Sequence, residues 1–221
     1  MGVYRNPYAS PASTLRNAGR LLAAHALEVS NLLGIDQIYL TTAKPVAAGF
    51  NGVALKLPGM PPWKAILKVT TEASEVAAAA RVQALGGHMN LPLVHAAVMV
   101  NAHFGVIWMD EVCAIERPSD IGMDDRAFAD ALNWLKALTE ALSWENEAAV
   151  RNCYGQFIKA AAGSPLLPLW DLATDLFGAG VLIREGDWKK ENLGLRGGCV
   201  VLLDFGAEVT SEVLEATPRA A

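Results

Sequence analysis

Gly186-Asp187-Trp188-Lys189-Lys190-Glu191-Asn192-Leu193, followed by Leu202-Leu203-Asp204-Phe205-Gly206, is the stretch on which the fold turns. An Asp five residues before an Asn is common in any chain. An Asp-Phe-Gly behind an apolar run is unremarkable by itself. Alone, Asp187, Asn192 and Asp204 read as turn residues, because short polar side chains hydrogen-bond nearby backbone. Together, in this order and one short hairpin apart, they form a much rarer pattern. The hairpin is made of expected strands at 193–195 and 200–203, and a further short strand is expected at 181–184.

Upstream of this stretch the pattern is helical. Phe128, Leu132, Leu135, Leu138 and Leu142 repeat at helical spacing after Asp124, and further helices are expected at 147–162 and 166–177. Before a boundary near 113–119 the texture changes to short apolar runs broken by Gly and Pro. Strands are expected at 38–41, 53–57, 63–69, 93–100 and 104–109, with Leu57-Pro-Gly-Met-Pro-Pro62 as a turn. The Ala-rich run 72–85 reads as one helix among them, stopped by Gly86-Gly87. At the start, Ser13 can cap a helix whose apolar positions are Leu15, Ala18, Leu22, Ala26, Val29 and Leu32, with Arg16 and Arg20 off that face. Residues 210–221 read as a frayed tail.

Composition sets the outer limits. The chain has 221 residues and a net charge of −5, with 19% charged residues and 52% hydrophobic ones. That length suits one domain or two small lobes with a core needing no metal or disulfide staple. Residues 89–109 hold no Asp, Glu, Lys or Arg, but Pro92, His95, Asn101 and His103 interrupt them. Two strands and a tight loop explain that run better than a membrane span. Arg5, Pro7 and Pro11 interrupt the start before any apolar run, so no signal peptide is read there. Cys113, Cys153 and Cys199 are widely spaced, which fits a reducing cytosol. The acidic balance offers no basic stripe for nucleic acid. His25, His88, His95 and His103 lack ligand spacing, and no Gly-x-Ser-x-Gly supports a hydrolase.

The C-terminal stretch resembles the protein-kinase superfamily. Asp187-Trp-Lys-Lys-Glu-Asn192 is similar to its catalytic loop Asp-Leu-Lys-Pro-Glu-Asn, and Asp204-Phe-Gly206 to its magnesium-binding turn. Ala65-Ile-Leu-Lys68-Val69 resembles the Val-Ala-Ile-Lys strand. Ala47-Ala-Gly49-Phe-Asn-Gly52-Val53 resembles the glycine-rich loop, with Ala47 in place of the first glycine. Residues 106–112 resemble the hinge between lobes. The resemblance spans about residues 46–206. It implies an α+β, protein-kinase-like two-lobed fold: a small antiparallel-sheet N-lobe with one helix and a reduced, mainly helical C-lobe. The corresponding divisions are an N-terminal helical extension (1–36), the N-lobe (37–112), the C-lobe (113–209) and a flexible tail (210–221).

The resemblance also implies roles. Phosphoryl transfer is catalysed mainly by positioning and charge, so a base, a metal and phosphate-binding cations suffice. Asp187 is then the base and Lys189 a cation for the transferring phosphoryl group. Asn192 and Asp204 are hard oxygen ligands for Mg²⁺. ATP would be held by Ala47, Gly49, Gly52 and Val53 of the loop and by Lys68. Glu75 is the expected partner of Lys68, with Glu72 in reserve. The hinge adds Asp110 and Val112 toward adenine and Met109 at the back of the pocket. Trp188 reads as packing.

The departures are informative. Glu185-Gly186 replaces the His-Arg before the catalytic Asp, and nothing after Gly206 resembles an activation segment with Ala-Pro-Glu. Short kinase-like chains of this kind resemble those encoded by bacteriophages. The implied activity is a minimal serine/threonine kinase of the cytoplasm, the host's if phage-encoded, acting with ATP and Mg²⁺ on a protein substrate, host proteins included. Two alternatives stand beside it: a small-molecule phosphotransferase of the aminoglycoside-kinase type, and a catalytically silent binding protein. No membrane or nucleic-acid partner is implied.

Overall fold

The computed structural model describes residues 11–49, 51–204 and 207–220, and for residues 11–15 the backbone alone. It opens with α1 (Pro11–Ala24) and α2 (Ala26–Leu33), separated by a kink at His25. The helix is under way at Pro11, so Ser13 lies inside it and is no cap. Ala18, Leu22, Ala26 and Val29 are buried as the spacing requires, but Leu33 closes the stripe and Leu32 is exposed. The side chain of Leu15 lies outside the described residues.

The strand expected at 38–41 is instead a short helix, α3 (Gln37–Thr41). Asp36 is the reason. Its carboxylate accepts the Ile38 N–H at 2.9 Å, satisfying one of the donors that a helix start leaves orphaned. This local bond outweighs the β-branched character of Ile38.

Five antiparallel strands follow: β1 (Lys44–Ala48), β2 (Gly52–Lys56), β3 (Ile66–Thr70), β4 (Val94–Met99) and β5 (Gly105–Met109), in the order β1-β2-β3-β5-β4. β1 takes in Ala47 and Ala48, the start of the stretch read as a glycine-rich loop. One face of the sheet buries Val53, Leu55, Leu67, Val69, Val106 and Trp108 under the N-terminal helices. The other face carries Ile107 and Met109 against α4 (Ala73–Ala84). Gly105 makes that approach feasible: a Cβ there would lie 2.7 Å from Val76 Cγ2 and 2.9 Å from Met99 Sδ. Gly105→Ala is therefore expected to destabilise the fold by about 1–3 kcal/mol through overpacking, measured by denaturant titration.

The second lobe begins with β6 (Cys113–Ala114) and three helices, α5 (Asp125–Ser143), α6 (Glu147–Ala160) and α7 (Pro168–Gly178). Asp124 caps α5 by accepting the Ala127 N–H at 2.8 Å. Phe128, Leu132, Leu135, Leu138 and Leu142 are all buried, as their helical spacing predicts. Then come β7 (Val181–Ile183), β8 (Leu193–Arg196), β9 (Cys199–Leu202), β10 (Ala207–Val209) and α8 (Ser211–Glu215). β6, β8 and β9 form one small sheet and β7 pairs with β10.

The tail expected to fray is ordered through Ala220. Thr217 is buried. Met99 donates to Pro218 O at 2.9 Å and accepts from Ala220 N at 2.8 Å. The tail thus returns from the second lobe to cover the open edge of β4, a common way to protect an edge strand. The architecture is the expected α+β one, a sheet lobe with one helix joined to a mainly helical lobe. No helix among the described residues is long and apolar enough to cross a membrane. All three cysteines are free.

Candidate functional site

Lys68 occupies the centre of the sheet, on β3 between β2 and β5, opposite Ala54 and Ile107. Opposed residues share a face in an antiparallel ladder, so Lys68 points to the α4 side. Glu75 stands in the first turn of α4, and its carboxylate pairs with the Lys68 ammonium. Asp204, just past β9, accepts from the same ammonium at 2.7 Å. Glu75 is almost sealed off, with 3% of its side chain exposed against 14% for Lys68 and 35% for Asp204. Two neighbouring elements and a third segment 136 residues further on therefore meet at one cation.

The electrostatics follow from that sharing. Burial alone would pull the Lys68 pKa down, but the charges of Glu75 and Asp204 outweigh it and hold the ammonium above its usual range. Burial pushes Glu75 up to about 7, against the pull of Lys68 and with the help of Asp204. One ammonium serves two carboxylates, so the more deeply buried one keeps its proton longer.

The stretch from 185 to 192 turns twice. Residues 185–187 form a 3₁₀ turn after β7, and residues 190–192 form a second. Between them Trp188 is completely buried and donates from Nε1 to Thr139 Oγ1 at 2.9 Å, which pins the turn to α5. Trp188 is thus a packing residue. Asn192 is buried and donates from Nδ2 to the Asp187 carbonyl at 3.2 Å. Leu203 N donates to Asn192 O at 2.7 Å, tying the loop to the strand that leads to Asp204. Asp187 Oδ2 is buried without a hydrogen-bond partner. Burial, and then the charge of Asp204, raise Asp187 to about 6. Lys189 is exposed beside it, and Lys190 donates to Glu116 O at 2.8 Å. Phe205 and Gly206 lie outside the described residues.

The loop before Lys68 differs from expectation. Ala47 lies within β1, paired with Ala54. Gly49 donates to Gly52 O at 2.9 Å, and Phe50 lies outside the described residues. At Gly52 the missing side chain answers to the strand, because a Cβ would sit 2.8 Å from Val69 O. Val53 does not face the cleft. It is fully buried on the sheet face under the N-terminal helices, opposite to Lys68. Period-two alternation puts Ala54 on the Lys68 face instead.

At the hinge, Met109 is buried on the Lys68 face, opposite Ile66. The N–H groups of Asp110 and Glu111 are already bonded, to Leu93 O at 3.1 Å and Pro62 O at 2.8 Å. The Asp110 carboxylate accepts from Leu93 N at 2.7 Å and from Arg196 Nη1 at 2.9 Å, so its side chain braces the hinge. Ile115 donates to Leu193 O across the β6–β8 ladder. Gly194 lets β8 pass beneath, where a Cβ would lie 2.6 Å from Val112 Cγ1.

Sequence reading did not find two further participants, Arg184 and Asn51. Arg184 forms an ion pair with Glu72, and Asn51 donates from Nδ2 to Glu72 Oε2 at 2.6 Å. Glu72, the reserve partner for Lys68, is thus engaged elsewhere. The only available signal was an arginine three residues before Asp187.

Asp187, Asn192 and Asp204 offer oxygen donors, and the Asp187 pKa is raised by burial first and then by the charge of Asp204. Among the described residues no group of three or more His, Cys, Asp or Glu could hold a metal. One carboxylate, Asp204, and one amide, Asn192, are donors of the kind that suits Mg²⁺, which takes few protein oxygens and completes its shell with phosphate and water.

No family model matches the chain, and no curated protein matches it. Among solved structures it is similar to a thermostable mutant of an aminoglycoside phosphotransferase in a ternary complex with ADP and hygromycin B. The identity is 9% over 83% of this chain and 71% of that one, with a TM-score of 0.38. At that score the likeness carries no weight for function.

Proposed function

We propose that the chain is an ATP- and Mg²⁺-dependent phosphotransferase that moves the ATP γ-phosphate to a hydroxyl, most simply a serine or threonine of a protein. The observation that carries this reading is Lys68 shared between Glu75 and Asp204, in one electrostatic neighbourhood with Asp187. Lys68 contacts the α- and β-phosphates, and Glu75 holds its ammonium in place. Ala47, Gly49 and Gly52 line the loop over the phosphates. The Val112 N–H and Asp110 backbone meet adenine, with Met109 behind it. Asn192 and Asp204 hold Mg²⁺, which supplies charge neutralisation to the phosphates when bound.

Asp187 accepts the proton of the attacking hydroxyl. Its Oδ2 lacks a partner, and a pKa near 6 leaves it ionised at neutral pH yet basic enough to take a proton. Asn192 fixes the backbone of Asp187, and Lys189 offsets charge on the moving phosphoryl group. An open groove lined by Pro118, Phe128, Leu132, Lys136, Lys189 and Lys190 lies beside the loop.

One observation favours a small-molecule acceptor. After Asp204 the chain soon pairs with β7 and then runs to β4, so residues 207–220 provide no free platform for a peptide. Incubation with γ-labelled ATP, Mg²⁺ and a cell lysate distinguishes the acceptors. Labelled protein bands that vanish with Asp187→Asn are expected. Label confined to small molecules would replace the protein acceptor with the second reading. No label in either fraction, with ATP still bound, would overturn the enzyme.

A further inference from the structure

Glu72 gathers an unusual number of bonds for a residue at a helix start. It stands at the N-cap of α4 and donates its own N–H to Thr70 Oγ1 at 3.1 Å. Its Oε1 accepts from Ser74 Oγ at 3.1 Å and pairs with the Arg184 guanidinium, while Oε2 accepts from Asn51 Nδ2 at 2.6 Å. Only 14% of its side chain is exposed. Burial opposes its ionisation, but Arg184, Ser74 and Asn51 hold its carboxyl below the usual range.

The partners belong to different parts of the site. Asn51 lies in the loop between Gly49 and Gly52, and its carbonyl is anchored by Thr71 N at 2.8 Å. Arg184 directly precedes the catalytic turn, and its carbonyl accepts the Asp187 N–H at 3.0 Å. One carboxylate therefore joins the loop over the nucleotide, the start of the helix that carries Glu75, and the turn that carries Asp187. We propose that Glu72 is a positioning residue that couples the nucleotide loop to the catalytic turn. The inference rests on the phosphotransferase reading above.

The two legs of the bridge act on different steps, so kinetics separate them. Asn51→Ala is expected to raise the KM for ATP with kcat held, and Arg184→Ala to lower kcat with KM held. Glu72→Ala is expected to move both, each by about tenfold, and to add little to the Asn51→Ala/Arg184→Ala double variant. Glu72→Gln loses the charge on Arg184 and turns one acceptor oxygen into a donor, which Asn51 can meet by turning its own amide, and it should lower kcat alone. A purely structural role would lower the melting temperature and leave KM and kcat unsplit, which would overturn the proposal. So would full additivity. If the wild type transfers no phosphate, amide exchange on the nucleotide-free protein still decides. Glu72→Ala raising exchange in both 47–53 and 185–192 supports the coupling, and a rise in one alone or in neither overturns it.

Discussion

Lys68→Ala is expected to abolish phosphate transfer and to destabilise the protein by about 3–5 kcal/mol at pH 8, the usual effect of removing one partner of a buried ion pair. The reason lies in what it leaves behind. Glu75, with 3% of its side chain exposed, and Asp204 would face each other without their shared cation. The penalty should depend on pH. Glu75 already has a folded pKa raised from 4.5 to about 7. Such a group contributes stability that is present below its unfolded pKa and lost as pH rises through the folded one. Lys68 is the group that pulls this pKa down, so its removal deepens the loss on the alkaline side. Denaturant titrations at about pH 5.5 and pH 8 should show a small penalty at the first and a large one at the second, in line with that linkage. An equal penalty at both would mean that Glu75 is not the group left exposed to the change.

Asp187→Asn should separate activity from stability. Loss of a general base typically reduces rate by about 10²–10⁴-fold, while nucleotide binding should persist because Lys68, the loop and the hinge are untouched. Stability should rise. Burial and Asp204 lift Asp187 from 3.8 to about 6, so the ionised form above pH 6 weighs against the fold. Asparagine cannot ionise and escapes that loss. The gain above pH 7 should be about 1 kcal/mol after allowance for partial exposure, and should disappear below about pH 4, where the wild-type carboxyl is protonated in both states. Thermal melts of the metal-free protein across this range measure it. A variant that is inactive and also less stable at pH 8 would point to lost packing rather than a lost base.

Much of this site was legible in the sequence because its signals are local. Asp187 and Asn192 on one side and Asp204 on the other flank one short hairpin, and Lys68 and Glu75 are seven residues apart across a strand–helix junction. The structure brings Lys68, Glu75 and Asp204 into contact. The helical lobe was legible for the same reason, since the 3.6-residue period of α5 depends on no distant partner. The rest depended on longer range or on a single bond. α3 is a helix because of one Asp36 cap. Val53 was assigned to the cleft through a one-residue phase error, and in a strand one residue is the difference between faces. The tail's order comes from Met99, more than a hundred residues away. The Glu72–Arg184 pair spans 112 residues, and nothing local marks either charge as the other's partner.

The central claim is that Asp187 performs chemistry in a cleft organised around Lys68. A single-turnover assay tests it most directly, following γ-labelled ATP with Mg²⁺ and lysate acceptors under conditions where wild type and Asp187→Asn are equally saturated with nucleotide. The account predicts that wild type transfers the label and that Asp187→Asn, although bound to ATP, does not. Equal transfer by both, or none by either, would contradict it.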